Sequence, residues 1–247
     1  MTDLKVAITG GTSGLGLALV REFRRRGARV AFVARTAHTV AAVAQKHGAH
    51  GIVGDVARKE DIHPVALQMT AAFGGLDVLV NNASSLGPTP LALLADTECE
   101  QLELALATNV LGPFRLTKAL LGALTASARE GRGAVVLNIS SDAAINAYAQ
   151  WGAYGASKAA LAQMSAIWDE ELRAEGVRFL WLDPGDMDTP LHALANISAG
   201  LLAATRRLKT SESSIIPASI ESQVRPPFRV LQGRCVVPAY STSRSAG

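Results

Sequence analysis

Residues 5–16 read KVAITGGTSGLG, an apolar run followed by a turn rich in glycine. The apolar run is of the kind that forms a strand buried on both faces. Gly10, Gly14 and Gly16 would let the turn bring backbone N–H groups close to a phosphate, and the N-terminus of the following helix adds a partial positive charge. A strand, a glycine turn and a helix in this order predict a site for the phosphates of a dinucleotide, with an ordinary tight turn as the alternative.

The same alternation of strand and helix continues along the chain. Apolar runs that alternate with helical patterns are typical of a parallel sheet covered on both faces, with right-handed crossovers. We therefore expect residues 1–247 to form a single domain of the α/β class, with a doubly wound, mostly parallel, Rossmann-like sheet. The predicted strands are residues 5–9, 29–34, 51–54, 78–81, 134–139 and 177–182, and the predicted helices are residues 16–26, 36–47, 61–73, 97–124 and 154–174.

Composition and charge narrow the possible functions. The chain has 247 residues, 49% of them hydrophobic, and its net charge of +3 is too small to indicate a nucleic-acid partner. Its apolar runs are too short to span a membrane. Cys99 and Cys235 lack the spacing of a disulfide framework or a zinc site, so no metal is expected. The N-terminal residues show no signal-peptide pattern, and a cytoplasmic protein is the expectation.

A tyrosine and a lysine lie four residues apart in the segment YGASK, residues 154–158. On a helix this spacing places Tyr154 and Lys158 on one face. Both side chains ordinarily titrate near pH ~10, but a neighbouring cation favours the phenolate and would lower the pKa of the tyrosine. The pair therefore suggests a proton donor, although the same spacing also occurs on ordinary helices.

The end of the second predicted strand bears on the choice of dinucleotide. An acid there accepts a hydrogen bond from the ribose of NAD, whereas an arginine accommodates the 2′-phosphate of NADP. This chain has Arg35 at that place and no acid beside it. We expect NADP(H) to be preferred and NAD(H) to be possible, with a solvated charge as the alternative for Arg35.

Together these motifs resemble the short-chain dehydrogenase/reductase family, over residues 5–189. The glycine turn matches the family's T-G-x-x-x-G-x-G, and YGASK matches its Y-x-x-x-K. The segment at residues 81–84 reads NNAS, where the family has N-N-A-G. Further matches follow in order along the chain: Asp55-Val56, Asn109-Val110, Asn138-Ile139-Ser140-Ser141, and Pro184-Gly185 with Thr189.

The resemblance implies hydride transfer between a nicotinamide and a carbonyl or alcohol carbon. It implies that Tyr154 donates the proton and that Ser141, with Ser140 as competitor, hydrogen-bonds the same oxygen. Lys158 is expected to hold the nicotinamide ribose and, with the charge of the oxidised nicotinamide, to lower the pKa of the phenol. Asn109 is expected to hold a water in the proton relay. The implied cofactor-binding residues are Gly10, Thr12, Ser13, Gly14, Leu15, Gly16, Arg35, Asp55, Val56, Asn82, Ala83, Tyr154, Lys158, Pro184, Gly185 and Thr189.

The substrate end of the chain carries weaker signals. Residues 186–215 contain an apolar series that includes Leu191 and are expected to close the substrate site, and Trp151 is expected to line it. A small apolar carbonyl or alcohol is the expected substrate, with simple packing as the alternative for these side chains. Residues 216–247 have no clear pattern beyond an edge strand expected at residues 234–237. The resemblance implies a homodimer or homotetramer.

Two other functions compete with a carbonyl reductase or alcohol dehydrogenase. A sensor or scaffold that binds the nucleotide with little turnover would be expected to lose the tyrosine or the lysine, and this chain keeps both. A sugar-nucleotide epimerase or dehydratase uses similar chemistry but needs a larger C-terminal substrate domain than the residues after Thr189 supply. Hydride transfer is therefore the leading hypothesis.

Overall fold

The computed structural model describes residues 3–185, 191, 229–231 and 234–236. A six-stranded sheet lies at the centre, and every neighbouring pair of its strands is parallel. The strand order β3-β2-β1-β4-β5-β6 confirms the predicted doubly wound α/β fold. The strands are β1 (Lys5–Thr9), β2 (Arg29–Ala34), β3 (His50–Val53), β4 (Val78–Asn81), β5 (Ala134–Ile139) and β6 (Val177–Leu182).

Helices cover both faces of this sheet. Successive strand residues point to opposite faces, so each strand contributes to two cores. In β1, the fully buried Val6 and Ile8 pack with α1 and α2, whereas Ala7 packs with α3 and α5. The α-helices of the described residues are α1 (Gly14–Arg25), α2 (Ala37–His47), α3 (Lys59–Phe73), α4 (Cys99–Leu106), α5 (Gly112–Arg129) and α6 (Gly152–Leu172).

The long helix predicted at residues 97–124 is divided in the structure. A π-helical turn, Ala107–Leu111, separates α4 from α5, and α5 continues to Arg129. Pro113 has no N–H and therefore cannot donate to the carbonyl of Asn109 four residues before it. The spacing of hydrophobic residues did not predict this interruption. Pro113 was the residue in the sequence that could have indicated it. Single π-helical turns of this kind are frequent at functional sites.

A row of buried polar side chains crosses the sheet near the carboxyl ends of β4 and β5. Asn81 and Asn138 are in register, and Nδ2 of Asn81 donates to Oδ1 of Asn138 at 2.8 Å and to Oγ1 of Thr117 at 3.3 Å. Nδ2 of Asn138 donates to Oγ of Ser165 on α6 at 2.8 Å. Oδ1 of Asn81 has no hydrogen-bond partner among the described residues. The row joins α5, β4, β5 and α6.

Asp169 ties α6 to the last strand of the sheet. Its Oδ1 accepts from the N–H of Phe179 at 2.8 Å and from Nε of Arg178 at 2.9 Å, and its Oδ2 accepts from Arg173 at 2.7 Å. Burial raises the pKa of this carboxyl, but the hydrogen bonds from Arg178, Phe179 and Arg173 outweigh burial and lower it. The carboxylate therefore holds α6 at a fixed place against β6.

The edge strand expected at residues 234–237 does not join the six-stranded sheet. β8 (Arg234–Val236) instead pairs antiparallel with β7 (Arg229–Leu231) in a separate two-stranded sheet. Pairing with a segment so near in sequence closes a much smaller loop than pairing with a distant edge. The remaining residues of 186–215, apart from Leu191, and of 216–247 lie outside the described residues, as does Thr189.

None of the described helices is long and apolar enough to cross a membrane. The cytoplasmic location stays a prediction.

Candidate active site

A cleft of about 780 Å³ opens at the carboxyl ends of the central strands. It lies where the strand order reverses between β1 and β4, which is the place where doubly wound sheets bind ligands. Asn109 and Gly16 do not contribute to its walls. The predicted site residues that line it are Gly10, Thr12, Ser13, Gly14, Leu15, Arg35, Asp55, Val56, Asn82, Ala83, Ser141, Tyr154, Lys158, Pro184 and Gly185.

The glycine turn is shaped for close approach of the backbone. Gly10 has a φ of 70° and Gly14 a φ of 50°, which favour glycine. At Gly16, an added Cβ would overlap the carbonyl oxygen of Gly10 and lie 2.5 Å from Nδ2 of Asn82. Ser13 immediately precedes α1, but its side chain makes no capping bond to any described residue, and no acid lies in the first turn. The free N–H groups of this helix end suit an anion such as a pyrophosphate.

Asn82 ties this turn to the end of β4. Its Nδ2 donates to the carbonyls of Thr9 at 2.9 Å and Gly10 at 3.3 Å. Oγ1 of Thr9 in turn accepts from the N–H groups of Asn82 and Ala83, both at 2.9 Å. These bonds hold together the two strand ends that form the centre of the cleft.

A second cavity, of about 360 Å³, lies at the ends of β2 and β3. It is lined by Arg35 and by Arg58, which sequence reasoning missed, and also by Asp55 and Asp61. Among the described residues, neither arginine belongs to an ion pair. Asp55 Oδ1 accepts from the N–H of Ala57 at 2.9 Å, and Asp61 accepts from the N–H of Asp55 at 2.8 Å. Two arginines without carboxylate partners suit a phosphate group.

Tyr154 and Lys158 lie one turn apart in α6, as the spacing predicted. Both are buried, with exposed fractions of 6% and 2%. Nζ of Lys158 donates to the carbonyl of Ile139 at 2.8 Å and lies 5.4 Å from the centre of the Tyr154 ring. Burial lowers the pKa of Lys158 to about 7.

The protein's own groups raise the pKa of Tyr154 to about 12. Burial is the largest cause and outweighs hydrogen bonding with Ser141 and Ser84, which lowers the pKa, while Asp183 and Asp142 raise it further. Lys158 was expected to lower the pKa of Tyr154. With the protein's own groups and no nucleotide, the pKa is raised instead, because burial of the phenol is the largest cause. The contribution of a nicotinamide charge stays a prediction.

Ser141, rather than its competitor Ser140, is the serine of this pair that lowers the pKa of the Tyr154 phenol. Oγ of Ser141 also donates to Oδ1 of Asp142 at 3.1 Å and accepts from the N–H of Ala143 at 3.2 Å. Asp142 in turn accepts from the hydroxyl of Tyr148 at 2.6 Å. Sequence reasoning missed Asp142 and Tyr148, because neither belongs to a recognisable pattern.

Asn109 is fully buried in the π-helical turn, and its side chain is fully engaged. Its Oδ1 accepts from the N–H of Ser85 at 2.8 Å and from Oγ of Ser84 at 3.2 Å. Its Nδ2 donates to the carbonyl of Ser85 at 2.7 Å and to Oγ of Ser157 at 2.8 Å. The amide therefore has no hydrogen-bonding position left for a water, and the water-holding role expected of Asn109 stays a prediction.

Apolar side chains form one side of the site around Tyr154. Leu86 and Leu191 line the cleft and pack in one cluster with Tyr154. Trp151 was expected to line the pocket, but it packs edge-on against the Tyr154 ring with the ring centres 5.6 Å apart. Asp183, which was not predicted, and Asp142 contribute carboxylates to the lining of the cleft.

The chain was compared with known families and proteins. A family model described as short chain dehydrogenase matches residues 5–198. The chain is 33% identical over 191 residues to 2-(R)-hydroxypropyl-CoM dehydrogenase of Xanthobacter autotrophicus, covering 74% of each chain. It is 33% identical over 187 residues to serine 3-dehydrogenase of Agrobacterium fabrum, covering 74% of this chain and 72% of that protein.

Two solved structures have the same architecture. One is 3-ketoacyl-(acyl-carrier-protein) reductase of Brucella melitensis complexed with NADH, with a TM-score of 0.74, 26% identity, and coverage of 79% of this chain and 80% of the other. The other is the RhlG/NADP active-site complex of Pseudomonas aeruginosa, with a TM-score of 0.71, 31% identity, and coverage of 76% and 75%.

The glycine turn gives a direct test of the phosphate site. We expect Gly16→Ala to weaken nucleotide binding by at least about 10-fold, because its Cβ displaces the carbonyl of Gly10 and a poorly placed group costs a kcal/mol or more. Fluorescence titration with NADPH measures this loss. Gly122→Ala is the matched control, since a Cβ there meets nothing within 4 Å. Equal binding by the Gly16 variant and the parent protein would contradict the assignment.

Proposed function

The chain belongs to the short chain dehydrogenase family, and we propose that it transfers a hydride between NADP(H) and the carbonyl or alcohol carbon of a small apolar substrate. The observation that carries this proposal is the shared cleft of Tyr154, Lys158, Ser141 and the glycine turn. As a member of this family the protein is an NAD(P)-dependent oxidoreductase. The choice of NADP, the substrate and the roles of the side chains are our proposals.

The cleft supports an extended dinucleotide. The pyrophosphate would lie on the N-terminus of α1 beside Gly10 and Gly14, because that helix end presents N–H groups without a capping side chain. Arg35 and Arg58 would hold the 2′-phosphate, and Lys158 would hold the nicotinamide ribose. The nicotinamide supplies or accepts the hydride when bound. The protein would position the cofactor and the substrate and supply or accept a proton.

Tyr154 is the proposed proton donor and acceptor. In reduction, the phenol gives its proton to the carbonyl oxygen as the carbon gains a hydride and becomes the alcohol carbon. In oxidation, the alcohol proton passes to the phenolate as the carbon loses a hydride and becomes the carbonyl carbon. Ser141 donates a hydrogen bond to the same oxygen and favours the negative charge that grows there in reduction. A phenol whose pKa is raised to about 12 is protonated at neutral pH, as a donor must be.

An apolar substrate is favoured by Leu86 and Leu191, which line the cleft next to Tyr154. Asp142 and Asp183 oppose anionic substrates from the polar part of the lining. A panel of ketones, quinones, keto-esters and small hydroxy acids, assayed by NADPH absorbance, would measure the preference. Faster turnover of the charged acids would contradict this proposal. Nucleotide binding without turnover of any member would favour the alternative of a sensor or scaffold.

Tyr154→Phe tests the catalytic assignment. We expect kcat to fall by at least about 10²-fold, because general acid–base catalysis typically supplies that much, while NADPH binding persists. Turnover is followed by NADPH absorbance and binding by fluorescence titration. Tyr148→Phe, which also removes a phenol hydroxyl near the cleft, should cost less than about 10-fold. Full activity in Tyr154→Phe would end the assignment.

The arginines test the cofactor preference. We expect the parent protein to show a higher kcat/KM with NADPH than with NADH. Arg35→Ala should lower the value for NADPH by about 10-fold or more, because hydrogen bonds to a charged group contribute about 1.5–3 kcal/mol, and should leave the value for NADH unchanged. Arg129→Ala, an exposed arginine at the end of α5, is the matched control. Equal kcat/KM values for the two cofactors in the parent would contradict NADP preference.

A homodimer is the assembly that the surface supports best. Leu111 at the end of the π-helical turn, Phe114 on α5 and Ile167 on α6 are 41%, 37% and 48% exposed. Phe114 stacks on Trp168 of α6, with the ring centres 5.5 Å apart, so the two helices present one continuous apolar face. A face of this kind marks an association surface, and a second copy of this chain would cover it with a two-fold axis.

Light scattering tests this interface. We expect a dimer or tetramer for the parent protein and a smaller species for Ile167→Glu, because a charge buried between the two copies costs several kcal/mol. Leu67→Glu is the matched control, since Leu67 is 69% exposed and lies on α3, which contributes no residue to this face. A monomeric parent protein would contradict the proposal.

A further inference from the structure

One carboxylate in the wall of the cleft has no part in the mechanism above. Asp142 follows Ser141 directly, is exposed, and lines the cleft. Its Oδ1 accepts from Oγ of Ser141 at 3.1 Å, and its Oδ2 accepts from the hydroxyl of Tyr148 at 2.6 Å. A charged acceptor therefore lies one hydrogen bond away from the group that is proposed to bind the substrate oxygen.

The loop between β5 and α6 fixes the position of this carboxylate. The main-chain carbonyl of Asp142 accepts from the N–H groups of Ile145 at 3.0 Å and Asn146 at 2.9 Å, which makes a tight turn. Tyr148, farther along the same loop, holds Oδ2 at 2.6 Å. Because the main chain and the side chain are both held, Oδ1 stays within reach of Ser141.

The hydrogen of the Ser141 hydroxyl has two possible acceptors. An ionised carboxylate can only accept, so Ser141 is the donor in its bond to Asp142. A lone pair of the same Oγ accepts from the N–H of Ala143 at 3.2 Å. A hydroxyl has a single hydrogen, and the proposed mechanism needs that hydrogen at the substrate oxygen. Substrate binding therefore takes a donor away from Asp142.

The loss of this donor affects which substrates bind well. A hydrogen bond to an ionised acceptor is about twice as strong as one between neutral groups. In the open cleft, water can take the place of the Ser141 hydroxyl, but a bound substrate displaces that water. If the substrate then places only C–H groups beside Asp142, a charged oxygen is left without a donor, which costs free energy.

On the basis of the proposed function, we propose that Asp142 selects carbonyl substrates with a hydroxyl or amino group on the carbon next to the reacting carbon. This group donates to Oδ1 of Asp142 while the Ser141 hydroxyl turns to the reacting oxygen, so neither acceptor lacks a donor. An oxygen or nitrogen on the neighbouring carbon lies about one hydrogen-bond length from the carbonyl oxygen, close to the 3.1 Å between Ser141 and Asp142. The hydroxyl or amino group itself is unchanged, because the hydride and the proton go to the carbonyl group.

The remainder of the substrate is still expected to be apolar. Leu86 and Leu191 line the cleft and pack in one cluster with Tyr154. A site that hydrogen-bonds a hydroxyl of its substrate discriminates strongly against analogues that lack it, because a polar group of the site is then left unpaired. The preferred substrate thus joins an apolar substituent and an adjacent donor to the same carbonyl, and its reduction gives a vicinal diol or amino alcohol.

A series of matched ketones tests the inference. The donor is present in α-hydroxyacetophenone and α-aminoacetophenone, whereas α-methoxyacetophenone keeps the oxygen without its hydrogen and propiophenone has a methyl group at the same place. Followed by NADPH absorbance, kcat/KM for at least one donor ketone should exceed the values for the other two ketones by about 10-fold or more, which is what a hydrogen bond to a charged group contributes. Comparable values for all four ketones would overturn the inference and leave the proposed function intact.

Variants of Asp142 show whether the carboxylate sets this preference. In Asp142→Ala, the ratio of kcat/KM for the preferred donor ketone to that for propiophenone should fall by about 10-fold or more. Asp142→Asn keeps the size of the side chain and one acceptor oxygen, so its ratio should lie between those of the parent and Asp142→Ala. The matched control is Asp96→Ala, which removes an exposed acid that does not line the cleft and should keep the parent ratio. An equal loss for every ketone in Asp142→Ala, as structural damage would cause, would overturn the inference.

A binding measurement gives a readout that does not depend on turnover. Calorimetric titration of Tyr154→Phe loaded with NADPH would compare the Kd values of the preferred donor ketone and propiophenone, with and without Asp142→Ala in the same chain. The added substitution should weaken binding of the donor ketone by about 10-fold and that of propiophenone by less than about 3-fold. Equal weakening of both would overturn the role of Asp142, with the proposed function unaffected. An active Tyr154→Phe would instead remove the proposed function and the inference that rests on it.

Discussion

The parting of β1 and β4 at their carboxyl ends is the constraint on which the site depends. Where neighbouring strands separate, the ladder of backbone hydrogen bonds stops, and the last polar groups need other partners. Thr9 and Asn82 supply them by exchanging hydrogen bonds between side chains and main chains. These hydrogen bonds hold the crevice open, and the glycine turn, the end of β4 and α6 line it.

The centre of this crevice is a place of low polarity, and its ionisable groups show the effect. Burial moves the pKa of Tyr154 up and that of Lys158 down, so both side chains tend toward their neutral forms. Ionising a side chain in such a site costs free energy unless an opposite charge or hydrogen-bonding groups lie beside it. A bound dinucleotide, with its phosphates and nicotinamide, is a ligand that could set the protonation of both groups.

The sequence was most informative where the chain is regular. The strands are short apolar runs bounded by glycine or polar residues, and all six were placed within one residue of their observed bounds. The side chains of Arg58, Asp142 and Ser84 depend instead on the paths of irregular loops, which no periodicity encodes. The raised pKa of Tyr154 could not be predicted either, because the sequence indicates which charged residues are near the phenol but not how deeply the phenol is buried from water.

The asparagine pair on β4 and β5 has a consequence for variation among relatives. Nδ2 of Asn81 donates to Oδ1 of Asn138, so replacing Asn81 alone by an apolar residue leaves that acceptor without its donor, and replacing Asn138 alone leaves that donor without its acceptor. A double replacement removes donor and acceptor together. The two positions should therefore covary, and a protein engineer who alters one should alter the other in the same step.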